Sequence, residues 1–237
     1  MVTHRQASKI ALRDYAMQAS IEIPKGFNLD DSYGLAAREL CKRVQRKNRI
    51  KQTGDVTPKT LLVIGKYLPG TLQQRAVWCM RIVEGPLETE GNNRGPYVEE
   101  IQRIGSQLAP GAWPWCAAAT SWAYRCAGWK SWAAFCKSMN EAYVPDWVAA
   151  AKQKRFGMSI VSWRSSRTGD AITFQFDTDP AQDHIGLILA RPNLVTGVVK
   201  TIEGNTSNSE YGSQDDGGGL WRRTRNAKPP QILIRIS

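Results

Sequence analysis

The sequence predicts an α+β fold. Helical periodicity fills the chain to about residue 153, and short β-branched or alternating runs separated by Gly, Pro, Asn and Asp follow from residue 171. Helices first and strands second is the order of an α+β protein. With 237 residues, 42% of them hydrophobic and nine of them tryptophan, the chain can bury a core of ordinary size with a small accessory domain beside it.

The elements follow in order. Ile10, Leu12, Tyr15, Ala16 and Ala19 recur at helical spacing over residues 7–19. After a break at Pro24 and Gly26, Leu35, Ala36, Leu40, Cys41 and Val44 stripe a helix over 35–46. Gly54 marks a turn, Thr57 suits a helix cap with Pro58 at the first helical position, and Pro69 and Gly70 end that helix. These predict a small helical domain over residues 1–70 and a larger domain over 71–237. Leu72, Ala76, Val77, Met80 and Val83 then predict a helix over 72–83, followed by a polar, Gly-rich loop over 85–96 and a helix over 98–108. A turn rich in Pro and Trp runs into a helix over 117–127 that Gly128 stops, and another helix spans 140–153. Strands are expected at 171–176, 184–190, 198–203 and 232–236.

Composition narrows the function classes. No apolar run approaches the roughly 18 residues of a membrane span. Residues 1–15 mix His4, Arg5, Lys9, Arg13 and Asp14 with isolated apolar residues and lack the apolar centre of a secretory signal, which predicts synthesis in a cytoplasm. The net charge of +11 favours polyanionic partners, among them anionic wall polymers, although surplus solvated lysines also serve solubility. Five cysteines without a CxxC pair suggest neither a disulfide framework nor a zinc ribbon, and two histidines are too few for a zinc hydrolase.

Cysteine chemistry fits better. A thiol attacks an amide as thiolate, and its acidity rises at a helix N-terminus or beside an imidazole. Pro114 suits a first helical position, which puts Cys116 in the first turn, where unpaired N–H groups favour an anion and could bind an oxyanion. Cys41, Cys79, Cys126 and Cys136 lie among apolar neighbours in helical patterns and read as buried and inert. Of the two histidines, His4 lies in a terminus expected to fray. His184 opens a strand in which period two puts His184, Gly186 and Ile188 on one face, with Gly186 leaving room for a helix end or substrate. A base needs an orienting partner, and Glu203 and Asn205, two apart at the end of the next strand, could each supply it.

Four motifs occur in series: Pro114-Trp115-Cys116-Ala117-Ala118, Gly169-Asp170-Ala171-Ile172-Thr173-Phe174, Asp183-His184-Ile185-Gly186-Leu187 and Ile202-Glu203-Gly204-Asn205-Thr206. Together they resemble the CHAP family of cysteine, histidine-dependent amidohydrolases and peptidases, over residues 72–237. The resemblance implies a papain-like domain and cleavage of peptidoglycan amide bonds. It implies Cys116 as nucleophile, His184 as base, Glu203 as orienting residue and Asn205 as a further polar member, with no cofactor and no metal. Ala119 departs from the family, where a larger aromatic often follows Cys-Ala-Ala. Asp177, Asp179 and Asp183 lack the glycine and distal glutamate of an EF-hand loop. Upstream, a helix ending in Gln45, a turn at Gly54 and a helix capped by Thr57 resemble half of a helical peptidoglycan-binding domain. The whole then resembles a bacteriophage endolysin, which implies residence in the host cytoplasm until release to the wall; a bacterial autolysin or exported effector is the alternative within that class.

Two other classes compete. Glu84, Glu88 and Glu90 offer carboxylates for a glycosidase. A basic, non-catalytic module could instead grip wall polymer or nucleic acid, although no nucleic-acid motif is present. Of Trp113, Trp115, Trp122, Trp129, Trp132, Trp147 and Trp163, most are expected in the core, with exposed ones free to stack on sugars.

Overall fold

The computed structural model describes residues 2–176, 178, 181–208, 217–226 and 230–237. Among these it is a mixed α+β protein, as expected from the order of its elements. The chain opens with α1 (His4–Gln18), and its start is not frayed: the Thr3 hydroxyl accepts from Gln6 N–H at 3.2 Å and the Gln6 carboxamide accepts from Thr3 N–H at 3.0 Å. His4 is therefore a fixed, exposed first-turn residue.

Next come α2 (Leu35–Lys47), α3 (Pro58–Ile64), a 3-10 turn at Gly65–Tyr67 and α4 (Leu72–Ile82). Thr57 caps α3 through Thr60 N–H at 3.2 Å. Gln45 explains why a glutamine stands in the last turn of α2. Fully buried, it donates to Asp55 O at 2.8 Å, Thr53 Oγ1 at 3.0 Å and Thr60 Oγ1 at 3.1 Å, and accepts from Gly54 N–H at 3.0 Å. One side chain thus fastens the turn between α2 and α3, satisfying polar groups that burial would otherwise leave costly.

The remaining helices are α5 (Pro96–Gly105), α6 (Cys116–Ala127), α7 (Trp132–Ser138) and α8 (Val144–Lys152). Strands β1 (Gly85–Pro86), β2 (Met158–Ile160), β3 (Ala171–Phe174), β4 (His184–Asn193), β5 (Val198–Thr206), β6 (Gly219–Asn226) and β7 (Leu233–Ile236) form an antiparallel sheet in the order β1-β6-β5-β4-β3-β7-β2. Helix α7 and strands β1, β2 and β6 are not anticipated by the sequence pattern. The first three are too short to show a period, while β6 turns Arg223 and Arg225 inward and so hides its alternation.

Helix α6 is the centre of the molecule. Every residue but Arg125 is buried, because α3, α4 and α5 cover one side and β4 and β5 the other. Along β4, Ile185 and Leu187 join the main core with α6, whereas Ile188 joins Ile172, Phe174, Val199 and Leu233 in a smaller cluster. The main core is continuous across residues 70 and 71: Leu12, Leu40 and Ile64 belong to the same buried cluster as Met80, Ile101 and Trp122. No helix among the described residues is long and apolar enough to cross a membrane.

Candidate active site

Cys116 is the first residue of α6 and His184 the first of β4, so the two meet where both elements begin. Pro114 does not occupy the first helical position as the sequence suggests; it precedes the N-cap, Trp115, and the helix starts on the cysteine itself. Trp115 caps without a side-chain bond, and the first helical hydrogen bond runs from Ala119 N–H to Trp115 O at 2.8 Å. The N–H groups of the first turn are thus not used by the helix. The indole of Trp115 fixes that end by donating to Glu88 Oε1 at 2.9 Å.

The four candidate residues are all buried, Cys116 with 4% of its surface exposed and His184, Glu203 and Asn205 with none. His184 Nε2 donates to Glu203 Oε2 at 3.0 Å. Since a carboxylate only accepts, that bond places a proton on Nε2. Nδ1 is buried without a hydrogen-bond partner of good geometry among the described residues, and the Cys116 thiol lies close enough to act on the ring's charge. Burial pushes the His184 pKa down, but the neighbouring Cys116 and then Glu203 outweigh it and carry it up to about 9.

Glu203, rather than Asn205, orients the imidazole. Both belong to β5, but the expected alternation fails: the register shifts between Glu203 and Thr206, and Asn205 takes a left-handed φ of 57°. Asn205 therefore does not share a face with Glu203 by simple period two. A non-glycine residue held in that region is a recurrent mark of functional sites.

Arg225 on β6 is the site residue that the sequence reading missed. Its Nε donates to Glu203 Oε1 at 3.0 Å and Oε2 at 3.2 Å, and its Nη2 donates to Oε2. Its guanidinium lies 5.2 Å from the Phe174 ring centre and 5.1 Å from that of Phe176, which in turn is 5.7 Å from the His184 ring. Thr201 Oγ1 donates to Glu203 Oε1 as well. Burial alone would raise the Glu203 carboxyl, but the bonds from His184 and Arg225 hold it down at about 2. The signal in the sequence was the alternating Arg223 and Arg225, which reads as a solvated face until β6 is seen to turn them inward.

Two glycines set the distances. A Cβ on Gly186 would lie 2.4 Å from Glu203 Cγ, so the space there holds the orienting carboxylate rather than a helix end or substrate. A Cβ on Gly204 would lie 2.7 Å from Ala119 Cβ and 2.8 Å from the Trp115 ring. The small Ala119 is thus matched to Gly204, and the pair lets α6 lie close on β5.

The other candidates are distributed elsewhere. Cys41, Cys79, Cys126 and Cys136 are buried in helices. Glu84 accepts from Arg222 Nε at 2.6 Å, Glu88 is held by Trp115 and by Asn93 N–H at 2.8 Å, and Glu90 is exposed. Trp115, Trp122, Trp129 and Trp147 are core residues, while Trp113, Trp132 and Trp163 are half-buried. Of the three aspartates considered for a cation loop, Asp177 and Asp179 lie outside the described residues, and Asp183 accepts from Phe176 N–H at 2.6 Å. Asp170, in the second motif, is structural: it binds Arg235 at 2.7 and 3.0 Å and ties β3 to β7. No protein-family model, curated protein or solved structure matches this chain.

Proposed function

We propose that this protein is a cysteine-dependent amide hydrolase acting on bacterial peptidoglycan, with a papain-like catalytic arrangement of the CHAP type. The observation that carries the reading is one constellation: Cys116 at the start of a buried helix, beside an imidazole whose far nitrogen is bonded to Glu203. It is the arrangement of a nucleophile, a base and an orienting group.

The Cys116 thiolate attacks the carbonyl carbon of an amide, and the first-turn N–H groups of α6 face the oxygen that takes up charge. The C–N bond breaks as the His184 imidazolium gives its proton to the leaving amine, leaving a thioester on Cys116. Neutral His184 then takes one proton from water, whose oxygen attacks the thioester, expels the thiolate and leaves a carboxylic acid that gives its proton to solvent. Glu203 holds the ring in one orientation throughout, and Arg225 and Thr201 hold Glu203. Residues 1–70, with the Gln45-fastened turn, are the wall-binding part of this reading, and the whole acts as an endolysin released to the wall from the host cytoplasm.

Mass spectrometry of purified peptidoglycan after digestion tests the reading. New amino termini or sugar-free stem peptides are expected from the unmodified protein and not from Cys116→Ala. Unchanged peptidoglycan from a panel of wall types overturns it, and new reducing sugar ends that survive the substitution move the chemistry to the carboxylates.

A further inference from the structure

Away from Cys116, α4 and the strands β4, β5 and β6 leave a groove of about 620 Å³ that the proposed chemistry does not use. Its apolar wall is Val77 and the half-buried Trp78 from α4, with Leu189 from β4 opposite. Three cations, Arg81, Lys200 and Arg222, line the same hollow. It continues past Leu189, Lys200 and Arg222 into a second hollow of about 420 Å³ over β6. The result is elongated rather than a closed pocket.

The charges are out of balance. Arg222 is paired with Glu84, itself part of the second hollow, at 2.6 Å. Arg81 stacks its guanidinium 5.3 Å from the Trp78 ring centre, and its Nε is buried without a hydrogen-bond partner among the described residues. Lys200 is exposed on β5 and enters no ion pair among the described residues. A buried guanidinium nitrogen with no acceptor is costly to leave unmet, so the groove is short of an anion at the edge of an aromatic face.

From this geometry we infer that the groove is a binding site for a phosphodiester-linked polyol or sugar polymer of the bacterial wall. A polyol or sugar unit lies against Trp78 while successive phosphates meet Arg81, Lys200 and Arg222. The choice of a wall polymer over a nucleic acid rests on the proposed hydrolase reading; the demand for a polyanion does not. Such a site would hold the enzyme on the wall beside its substrate and raise the local concentration of cleavable bonds.

The test is equilibrium binding of full-length Cys116→Ala protein to purified poly(glycerol phosphate), with an oligothymidylate of matched length as the competing polyanion. Lys200→Glu and Arg81→Gln are each expected to weaken poly(glycerol phosphate) binding by about tenfold and to flatten the salt dependence by about one unit per lost cation. Lys130→Glu makes the same charge change at an exposed position outside the groove and should have a much smaller effect. Hydrolysis of a small soluble muropeptide should be unchanged by Lys200→Glu. Equal losses from Lys130→Glu and Lys200→Glu overturn the site in favour of net charge, and tighter binding of oligothymidylate overturns the wall polymer as occupant. Because binding is measured on the Cys116→Ala protein, a failure of the hydrolase reading would leave muropeptides uncut while this groove still bound or failed to bind on its own account.

Discussion

In the proposed reaction His184 acts as an acid first and a base second, and its surroundings suit both. Burial opposes its charge, and the Cys116 sulfur and the Glu203 carboxylate outweigh burial to carry the ring to about 9. In that reaction acylation of the sulfur removes the Cys116 contribution, and burial pulls the ring back toward the neutral form that can take a proton from water. The acylation rate should therefore fall along an alkaline limb near pH 9, where the free enzyme gives up the imidazolium proton. Glu203→Gln removes an anion from the ring and should move that limb down by about one unit or more, since each unit is worth about 1.36 kcal/mol of differential interaction. Stopped-flow acylation against pH measures this; a limb that stays in place would show that Glu203 does not act on the ring's charge. Arg225 works one step further back. Glu203 has a folded value of about 2, below its ordinary 4.5, so its stabilising contribution is present above pH 4.5 and fades as pH falls toward 2. Arg225→Met should raise that folded value, shift the acid limbs of both activity and unfolding upward, and cost about 3 kcal/mol by stranding a buried carboxylate. Arg225→Lys, which keeps the charge without the fork, should recover part of the activity.

At the scale of elements, the site depends on how closely α6 lies on β5. Gly204 faces Ala119 and Trp115 with no room for a methyl, since an added Cβ would come within 2.7 Å of one and 2.8 Å of the other. Gly204→Ala should push the first turn of α6 away from the sheet, costing about 1–3 kcal/mol as overpacking does. Misplacing Cys116 by about 1 Å should lower turnover in the proposed reaction about a hundredfold. Thermal unfolding and single-turnover rates separate the two effects, and a fully active Gly204→Ala protein would deny that this contact sets the geometry. The same contact shows what the sequence made legible. Cys116 in the first turn of a helix, the strand start at His184 and Glu203 as one of two candidate partners follow from local signals: a Pro-Trp turn, a period of two, a carboxylate in the next strand. What was hidden depends on tertiary placement. Gly186 reads as an opening, yet the Glu203 side chain fills it. Asn205 reads as sharing a face with Glu203, yet a register shift and a left-handed φ break the period of two on which that reading rests. Arg225 is not singled out by the sequence because nothing in a strand's own pattern says that its buried partner is a carboxylate 22 residues away.

For the molecule as a whole, the helices before residue 70 matter to the site without touching it. Trp122 of α6, fully buried, donates its indole N–H to Pro58 O at 3.2 Å, and Lys59 N–H binds Glu100 of α5 at 3.1 Å. Leu12, Leu40, Leu61 and Ile64 are fully buried in the cluster that contains Met80, Ile101 and Trp122. Lys9, also buried, binds Asn28, Asp30 and Ser32 at 2.7–3.0 Å and so ties the chain between α1 and α2 back onto α1. Side chains that remain after residue 70, such as Met80, Ile101 and Trp122, each return about 1.5–3 kcal/mol of apolar burial to water when stripped of that cover. Their sum is of the same order as the roughly 5–15 kcal/mol by which a domain of this size is stable. A protein lacking residues 1–70 should accordingly lose cooperative thermal unfolding and expose apolar surface, not merely bind the wall less tightly. Leu12→Ala and Leu40→Ala in the full chain should each cost about 2–5 kcal/mol and lower activity only through the folded fraction. Calorimetry of the shortened protein is the decisive measurement: a sharp transition with full activity on soluble muropeptide would mean that α4, α5 and α6 can close their own core, and that the first seventy residues serve the wall alone.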